Sequence, residues 1–433
     1  MRILLISPDR KDVVEARGRG QRRYKATFPP LSLLQVAALT PREHEVTIAD
    51  EAVEEVRTDV SCDLVGITAF TSSAPRAYEI ADGFRARGIP VVLGGMHASA
   101  TPEEALEHCD AVVVGEAEGQ WPQLLSDADQ ERLRRIYRST AFADMQEAPP
   151  ARRELLSRED YLAPDTVQAT RGCPHGCSFC SVTTFFGRGV RCRPAEKVAE
   201  EVAELPGKLI VFVDDNVMAV PREAARLFEA LVGMGKKWFG QASTTVVENA
   251  ELLRLAAKSG CQALFIGLES LSSSALERMN KGFNVVGRFG DLIGRLHDLG
   301  IGVIGAFMFG FDGEDESVFE RTAEFADRTR IDVPQYSILT PLPGTPLHAR
   351  MEAEQRIIDR DWSHYDGGHA VFLPRGIGPE GLEEGLRAAL RHSYSRLGIL
   401  RRLFGLSARA PLMLALNLAY RQRAMPFAAG PTA

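Results

Sequence analysis

Three cysteines fall within Thr170-Arg171-Gly172-Cys173-Pro174-His175-Gly176-Cys177-Ser178-Phe179-Cys180, spaced C-x3-C-x2-C, with Gly and Pro between them so that the backbone can curl around something small. Short cysteine spacings in a reducing compartment point to metal or cluster ligation before disulfides. The number of thiols is informative. A closed structural zinc site takes four ligands, commonly as two C-x2-C pairs, and a [4Fe–4S] cluster takes one ligand per iron. A trio therefore points to a cubane with one iron left open for a non-protein ligand. The competing reading is a zinc knuckle with His175 as fourth ligand.

The spacing, with the aromatic Phe179 just before the last cysteine, resembles the signature of the radical S-adenosylmethionine (SAM) superfamily. The resemblance implies that Cys173, Cys177 and Cys180 ligate three irons of a [4Fe–4S] cluster, that the open iron chelates the amino and carboxylate groups of SAM, and that Phe179 lies near the adenine. It also gives roles to residues that end apolar runs downstream. Asp214-Asp215-Asn216 stands where the family holds a Gly-Gly-Glu-like motif against the SAM ammonium, and two acids exceed what a helix N-cap needs. Ser243, in Gln241-Ala242-Ser243-Thr244-Thr245, suits the SAM carboxylate or ribose, and Glu269, in Gly267-Leu268-Glu269-Ser270, suits the ribose hydroxyls. Ser270 is read as a helix cap, Arg188, Arg191 and Arg193 as solvated charges, and Cys192 as a bystander thiol.

These residues need a scaffold that brings them to one rim. Strand candidates Thr166–Ala169, Leu209–Val213, Trp238–Ala242, Ala263–Gly267, Gly302–Phe307 and Pro334–Leu339 alternate with helical patterns 195–204, 222–233, 250–259, 273–279, 285–299 and 317–329. Six strand–helix units in order predict an open, partial (β/α)6 TIM-type barrel over residues 163–350, with its chemistry at the carboxyl ends of the strands. The cysteine loop follows the first strand and so lies on that face.

Residues 1–130 carry a second α/β pattern. Short apolar strands Ile3–Ser7, Glu45–Ala49, Leu64–Thr68, Val91–Gly94 and Ala111–Val114 alternate with helices 31–39 and 74–87, which predicts a doubly wound, Rossmann-like parallel sheet. Small polar turns close the strands, among them Thr71-Ser72-Ser73-Ala74, Gly94-Gly95-Met96-His97 and Gly115-Glu116-Ala117-Glu118, and in such sheets the ligand sits beyond those ends. The series Phe28-Pro29-Pro30-Leu31, Gly94-Gly95-Met96-His97 and Gly115-Glu116-Ala117-Glu118 resembles the cobalamin-binding domain found ahead of radical SAM domains. That resemblance implies bound cobalamin contacted by Ser72, Ser73, Gly94, Gly95, Gly115 and Glu116. No Asp-x-His-x-x-Gly loop occurs, so the cobalamin is expected with its lower base displaced and no His on cobalt.

Residues 131–162 are polar and read as a connector, and residues 351–433 as a helical C-terminal region with a helix over 379–397. The last stretch sets Arg396, Arg401, Arg402, Arg409, Arg421 and Arg423 around Ala410-Pro411-Leu412-Met413-Leu414-Ala415-Leu416. It reads as an amphipathic helix docked on the protein's own domains, with peripheral contact to a membrane or a cover over a lipid-like substrate as the alternative. The net charge of −7 excludes a general nucleic-acid-binding role. No apolar run reaches the ~18 residues of a membrane span, no signal peptide is recognised, and the scattered Cys62, Cys109, Cys192 and Cys261 fit a reducing, cytoplasmic setting.

Together these features predict a radical SAM enzyme, with cobalamin-dependent methyl transfer to an unactivated carbon of a small-molecule or lipid-like substrate, and an electron donor such as flavodoxin or ferredoxin. As the resemblance implies, SAM yields a 5′-deoxyadenosyl radical that abstracts hydrogen, and no protein residue is named as catalytic acid or base. Cyclisation or rearrangement on the same scaffold, and a non-catalytic metal-binding module, are the rival readings.

Overall fold

The computed structural model describes residues 1–17, 26–139, 141–403 and 410–429. Arg409 of the basic tail lies outside them. Six strands, β1 (Arg2–Ser7), β2 (Glu45–Asp50), β3 (Leu64–Thr68), β4 (Val91–Gly94), β5 (Ala111–Val114) and β6 (Ile136–Arg138), form a parallel sheet in the order β2-β1-β3-β4-β5-β6. Its inner strands β1, β3, β4 and β5 are largely apolar because both faces are covered. Val65, Ile67, Val91 and Leu93 pack against Ala77, Ile80, Ala81 and Phe84 of the helix Ala74–Arg85, while Leu64, Val92 and Val113 on the other face meet Leu33, Leu34, Trp121 and Leu124. The chain runs from β1 outward to β2 and returns on the other side as β3, which places the topological switch at the carboxyl ends of β1 and β3.

Strand β6 falls in the segment expected to be a connector. It escapes a pattern reading because it is three residues long and only Tyr137 points inward, where its hydroxyl donates to Asp127 Oδ2 at 2.9 Å.

The second unit holds β7 (Thr166–Val167), β8 (Thr170–Arg171), β9 (Arg191–Cys192), β10 (Leu209–Phe212), β11 (Lys237–Ala242), β12 (Cys261–Glu269), β13 (Gly302–Phe309) and β14 (Val333–Ile338). Six of these make an open parallel sheet, β14-β13-β12-β11-β10-β7, with helices between consecutive strands. This is the partial barrel. The first strand is two residues shorter than expected. Ala169 and Thr170 give their N–H groups to the Asp214 carboxylate rather than to a neighbouring strand, and Thr170 and Arg171 then pair antiparallel with Cys192 and Arg191 as β8 and β9, bracketing the cysteine loop.

The carboxyl rims of the two sheets face each other. The helix Gly95–Ala100 after β4 touches the helix Ser181–Phe186 after the cysteine loop, and Ser181 Oγ lies 3.6 Å from Met96 Sδ. Arg171 bonds Glu116 and Glu118 across the junction at 2.8 and 2.7 Å. Tyr161, from the segment that joins the units, donates to Asp50 at the end of β2 at 2.9 Å.

The expected helix over 379–397 ends at Tyr394, because Ser395 is extended, and a second helix, Arg396–Leu403, follows. The final helix, Ala410–Ala429, docks on the barrel. Met413 and Asn417 are fully buried, and Asn417 Nδ2 donates to the Asp332 carbonyl at 2.8 Å. Arg402, also fully buried, joins Asp327 Oδ1 at 3.2 Å to Asn417 Oδ1 at 3.0 Å. Leu414 and Leu418 point outward. No helix among the described residues is long and apolar enough to cross a membrane.

Breaking a buried pair from one side costs about 3–5 kcal/mol. Arg402→Ala is therefore expected to release the final helix, seen as faster proteolytic cutting within 410–429 than in the wild type while the barrel fragment persists.

Candidate active site

The cysteine loop has its shape imposed by contacts with every neighbouring turn. Gly172 has φ +92°, and a Cβ there would lie 2.3 Å from the Gly189 carbonyl oxygen, so only glycine fits. Asp214 reaches the loop from behind. Fully buried, it accepts from Ala169 N at 3.1 Å, from Thr170 N, and from Thr170 Oγ1 at 2.7 Å, and burial pushes it up to about 6. This differs from the SAM contact expected of it: its oxygens are spent on the backbone ahead of the cysteines. Asp215 stands one residue nearer the rim, accepts from Gly172 N at 3.3 Å, and is also pushed upward by burial. On the far side, Asn280 Nδ2 donates to the Gly176 carbonyl at 2.7 Å, Ser178 N to the Met279 carbonyl at 3.0 Å, and Leu347 N to the Ser178 carbonyl at 2.9 Å.

Burial raises all three thiols, Cys180 to about 11. Without a compensating cation they stay protonated, and a cluster whose irons take thiolates supplies that charge. The three sulfurs are close enough to feel one another electrostatically, yet no three His, Cys, Asp or Glu side chains among the described residues converge on a single-ion site. His175 does not join them. Its ring stacks on Phe283, with the centroids 3.7 Å apart. Three separated sulfurs suit a cubane, whose ligands bind different irons.

The sequence reading missed Lys281. Its ammonium lies 2.5 Å from Glu269 Oε1, over the rings of Phe179 and Phe283 at 5.7 and 5.8 Å, and it lowers all three cysteine thiols against the effect of burial. Glu269 holds φ +69° at a register shift between β12 and β13, a strained conformation of the kind found at functional sites. Nothing in the pattern around Lys281, in the turn after the helix Ser273–Arg278, marks it; only the return of that turn to the rim does. Ser243 Oγ is 2.6 Å from Thr245 Oγ1, and both line a cleft of about 220 Å3 with Pro174 and His175 of the cysteine loop and Asn216. The rim thus unites the cysteine loop, Asp215, Ser243 and the Glu269–Lys281 pair.

On the opposing rim, Ser72, Gly94, Gly95 and Gly115 lie at the ends of the adjacent strands β3, β4 and β5. Gly95 has φ +90°, and a Cβ would lie 2.6 Å from Thr68 Oγ1. Ser73 is buried with its hydroxyl turned to the Phe70 carbonyl at 3.3 Å. Glu116 is buried in ion pairs with Arg171 and Arg191, both at 2.8 Å, and so fastens the domains together rather than facing a ligand. His97 is fully buried and bonded to Tyr78 Oη at 3.0 Å. Phe70, unremarked in the sequence, is 69% exposed between the buried Ala69 and Thr71, at the switch point. A bare aromatic surface and small residues at the strand ends are features that would suit a corrin ring.

Comparison with known proteins agrees on both halves. Residues 22–125 match the B12 binding domain and residues 167–326 the radical SAM superfamily. The bacteriochlorophyllide d C-12(1)-methyltransferase of Chlorobaculum tepidum is 34% identical over 392 residues, covering 88% of this chain and 86% of the relative. This chain belongs to the cobalamin-dependent radical SAM methyltransferase family. The bacteriochlorophyllide d C-8(2)-methyltransferase of the same organism is 30% identical over 361 residues, covering 79% of this chain and 80% of the relative. The solved structure of the radical SAM methyltransferase TsrM from Kitasatospora setae, with cobalamin and a [4Fe–4S] cluster bound, has the same fold, with a TM-score of 0.69 at 17% identity over 99% of each chain.

In a radical SAM enzyme of this kind the bound cluster, SAM and cobalamin supply the electron, the carbon radical and the methyl group. The chain itself brings to the site three cysteines, a buried cation beside them, and two facing rims. Two outcomes test this division of labour. Gly172→Ala is expected to lower iron and sulfide per chain after anaerobic reconstitution, because the loop cannot close over Gly189. Lys281→Met and Glu269→Gln are each expected to cost about 3–5 kcal/mol in chemical denaturation, and the double variant to recover most of the loss.

Proposed function

We propose that this methyltransferase acts on a peripheral alkyl carbon of a magnesium chlorin of the bacteriochlorophyllide class. The observation that carries the methyl-transfer part is the apposition of the two rims: Arg171, two residues before Cys173, is held by Glu116 and Glu118 at the end of β5. A methyl carrier at one rim and a hydrogen-abstracting centre at the other then serve one substrate carbon held between them. The substrate class is supported by 34% identity to a C-12(1) methylase and 30% to a C-8(2) methylase, each match running through both domains. Both names place the methyl group on an alkyl substituent of the macrocycle, where no acidic proton is available and radical chemistry is needed. A flavodoxin or ferredoxin is the expected electron donor.

The test is an anaerobic incubation of reconstituted enzyme with SAM, a reductant, cobalamin and bacteriochlorophyllide d. The pigment is expected to gain the mass of one methylene, with methionine, 5′-deoxyadenosine and S-adenosylhomocysteine formed together. SAM cleavage that leaves the pigment mass unchanged would reject the chlorin, and a changed pigment without S-adenosylhomocysteine would reject methyl transfer.

A further inference from the structure

The segment between the helices Pro346–Ala353 and Pro379–Tyr394 carries two histidines that the chemistry above leaves without a role. His364 Nδ1 lies 2.6 Å from Asp359 Oδ2, and His369 Nδ1 lies 3.1 Å from Asp366 Oδ1. A carboxylate on Nδ1 fixes the tautomer and leaves the Nε2 lone pair available, which is how proteins prepare an imidazole to bind a metal. The two rings are 4.7 Å apart, each side chain is 40% exposed, and no hydrogen bond to either Nε2 occurs among the described residues.

Of the two, His369 has the firmer support. The Asp366 carboxylate is buried; it accepts from Gly368 N at 2.7 Å and from His369 N at 3.2 Å, and its other oxygen meets Arg10 Nη1 at 2.5 Å. Arg10 follows β1, so the dyad is pinned to the cobalamin-side rim. It is pinned to the barrel as well: Ile338 N, at the carboxyl end of β14, donates to the Gly367 carbonyl at 2.7 Å. A short turn of the same segment, Trp362–His364, packs on Thr71–Ser73 beside the exposed Phe70, and Trp362 Nε1 donates to Glu104 at 2.8 Å. His369 therefore stands beside the last strand of the open barrel, tethered to both rims.

We propose that His369, oriented by Asp366, is the axial ligand to the central metal of a tetrapyrrole substrate; this rests on the chlorin reading above. In such a macrocycle four nitrogens hold the metal in plane and an axial position stays open to one imidazole nitrogen, as in haem proteins. The Nε2 lone pair displaces a water from the metal and no other bond changes. Ligation from one side fixes which face of a flat ring meets the barrel and how far its edge carbons sit from the methyl donor. The sequence pattern does not mark His369, because the residue that prepares it, Asp366, is held by the Arg10 contact from a distant element.

The experiment is a fluorescence titration of the anaerobic holoenzyme with a magnesium chlorin bearing a free propionate, and with the same chlorin after removal of its metal. The magnesium form is expected to bind at least ~10-fold more tightly, by about 1.4 kcal/mol, with the absorption shift of an axial water exchanged for imidazole. His369→Gly should abolish the preference while leaving metal-free binding intact, and added imidazole should restore it. Asp366→Asn should weaken the magnesium form about 10-fold, and His364→Ala should keep the preference. Equal binding of both pigments by wild type, or equal loss of both in His369→Gly, overturns the axial ligand and leaves the chlorin substrate standing. If neither pigment binds, the substrate reading falls and the ligand falls with it.

Discussion

Arg171 sits where the two halves of the protein meet, 8% exposed, with one guanidinium nitrogen within 2.8 Å of both Glu116 and Glu118. A guanidinium removed from water in this way is tolerable only with carboxylates around it, and the carboxylates in turn need the cation. Arg191 supplies a second bond to Glu116 at 2.8 Å, so four charges from two domains stand or fall together. The cysteine loop begins on the residue after Arg171. Its position relative to the opposing rim is therefore set by electrostatics at the junction, and the facing of the two cofactor surfaces follows.

The second constraint is desolvation at the loop itself. Three thiols raised by burial, a strained Glu269 and an ammonium paired with it make a pocket that carries more cost than a structural turn needs. Such concentrations of strain and perturbed titration mark functional sites. The pair also explains the aromatic residues of the loop. Phe179 and Phe283 lie beside the same ammonium, and Phe283 stacks on the face of His175.

Much of the fold was legible because its strands are buried on both faces. Continuous apolar runs such as Leu64–Thr68 and Ala111–Val114 have one interpretation in an alternating α/β pattern, and their ends fell within a residue or two of expectation. What escaped were elements too short to show a period, such as Ile136–Arg138, and a strand cut short by a side chain from elsewhere, as Asp214 does to Thr166–Val167. The tail could be read as a docked helix but not for its partner, and its apolar residues are spread around the helix rather than gathered on one face. Arg402, seemingly one more surface charge, proved to be buried against Asp327 and Asn417.

By itself the sequence marked the cysteine trio, the order of the units and the cofactor chemistry, because these depend on local spacing: three thiols in eight residues and a repeat of strand and helix carry their meaning wherever they fold. Tertiary structure alone decided which acids face a ligand. Asp214 and Asp215 are neighbours in sequence, yet one binds backbone behind the loop and the other approaches the rim. Glu116 was turned from a cofactor contact into an interdomain strut, and Lys281, His369 and Phe70 acquired their settings from elements remote in the chain. The physical reason is that a charge takes its role from what desolvates and pairs it, and those partners are chosen by packing between segments that the sequence keeps far apart.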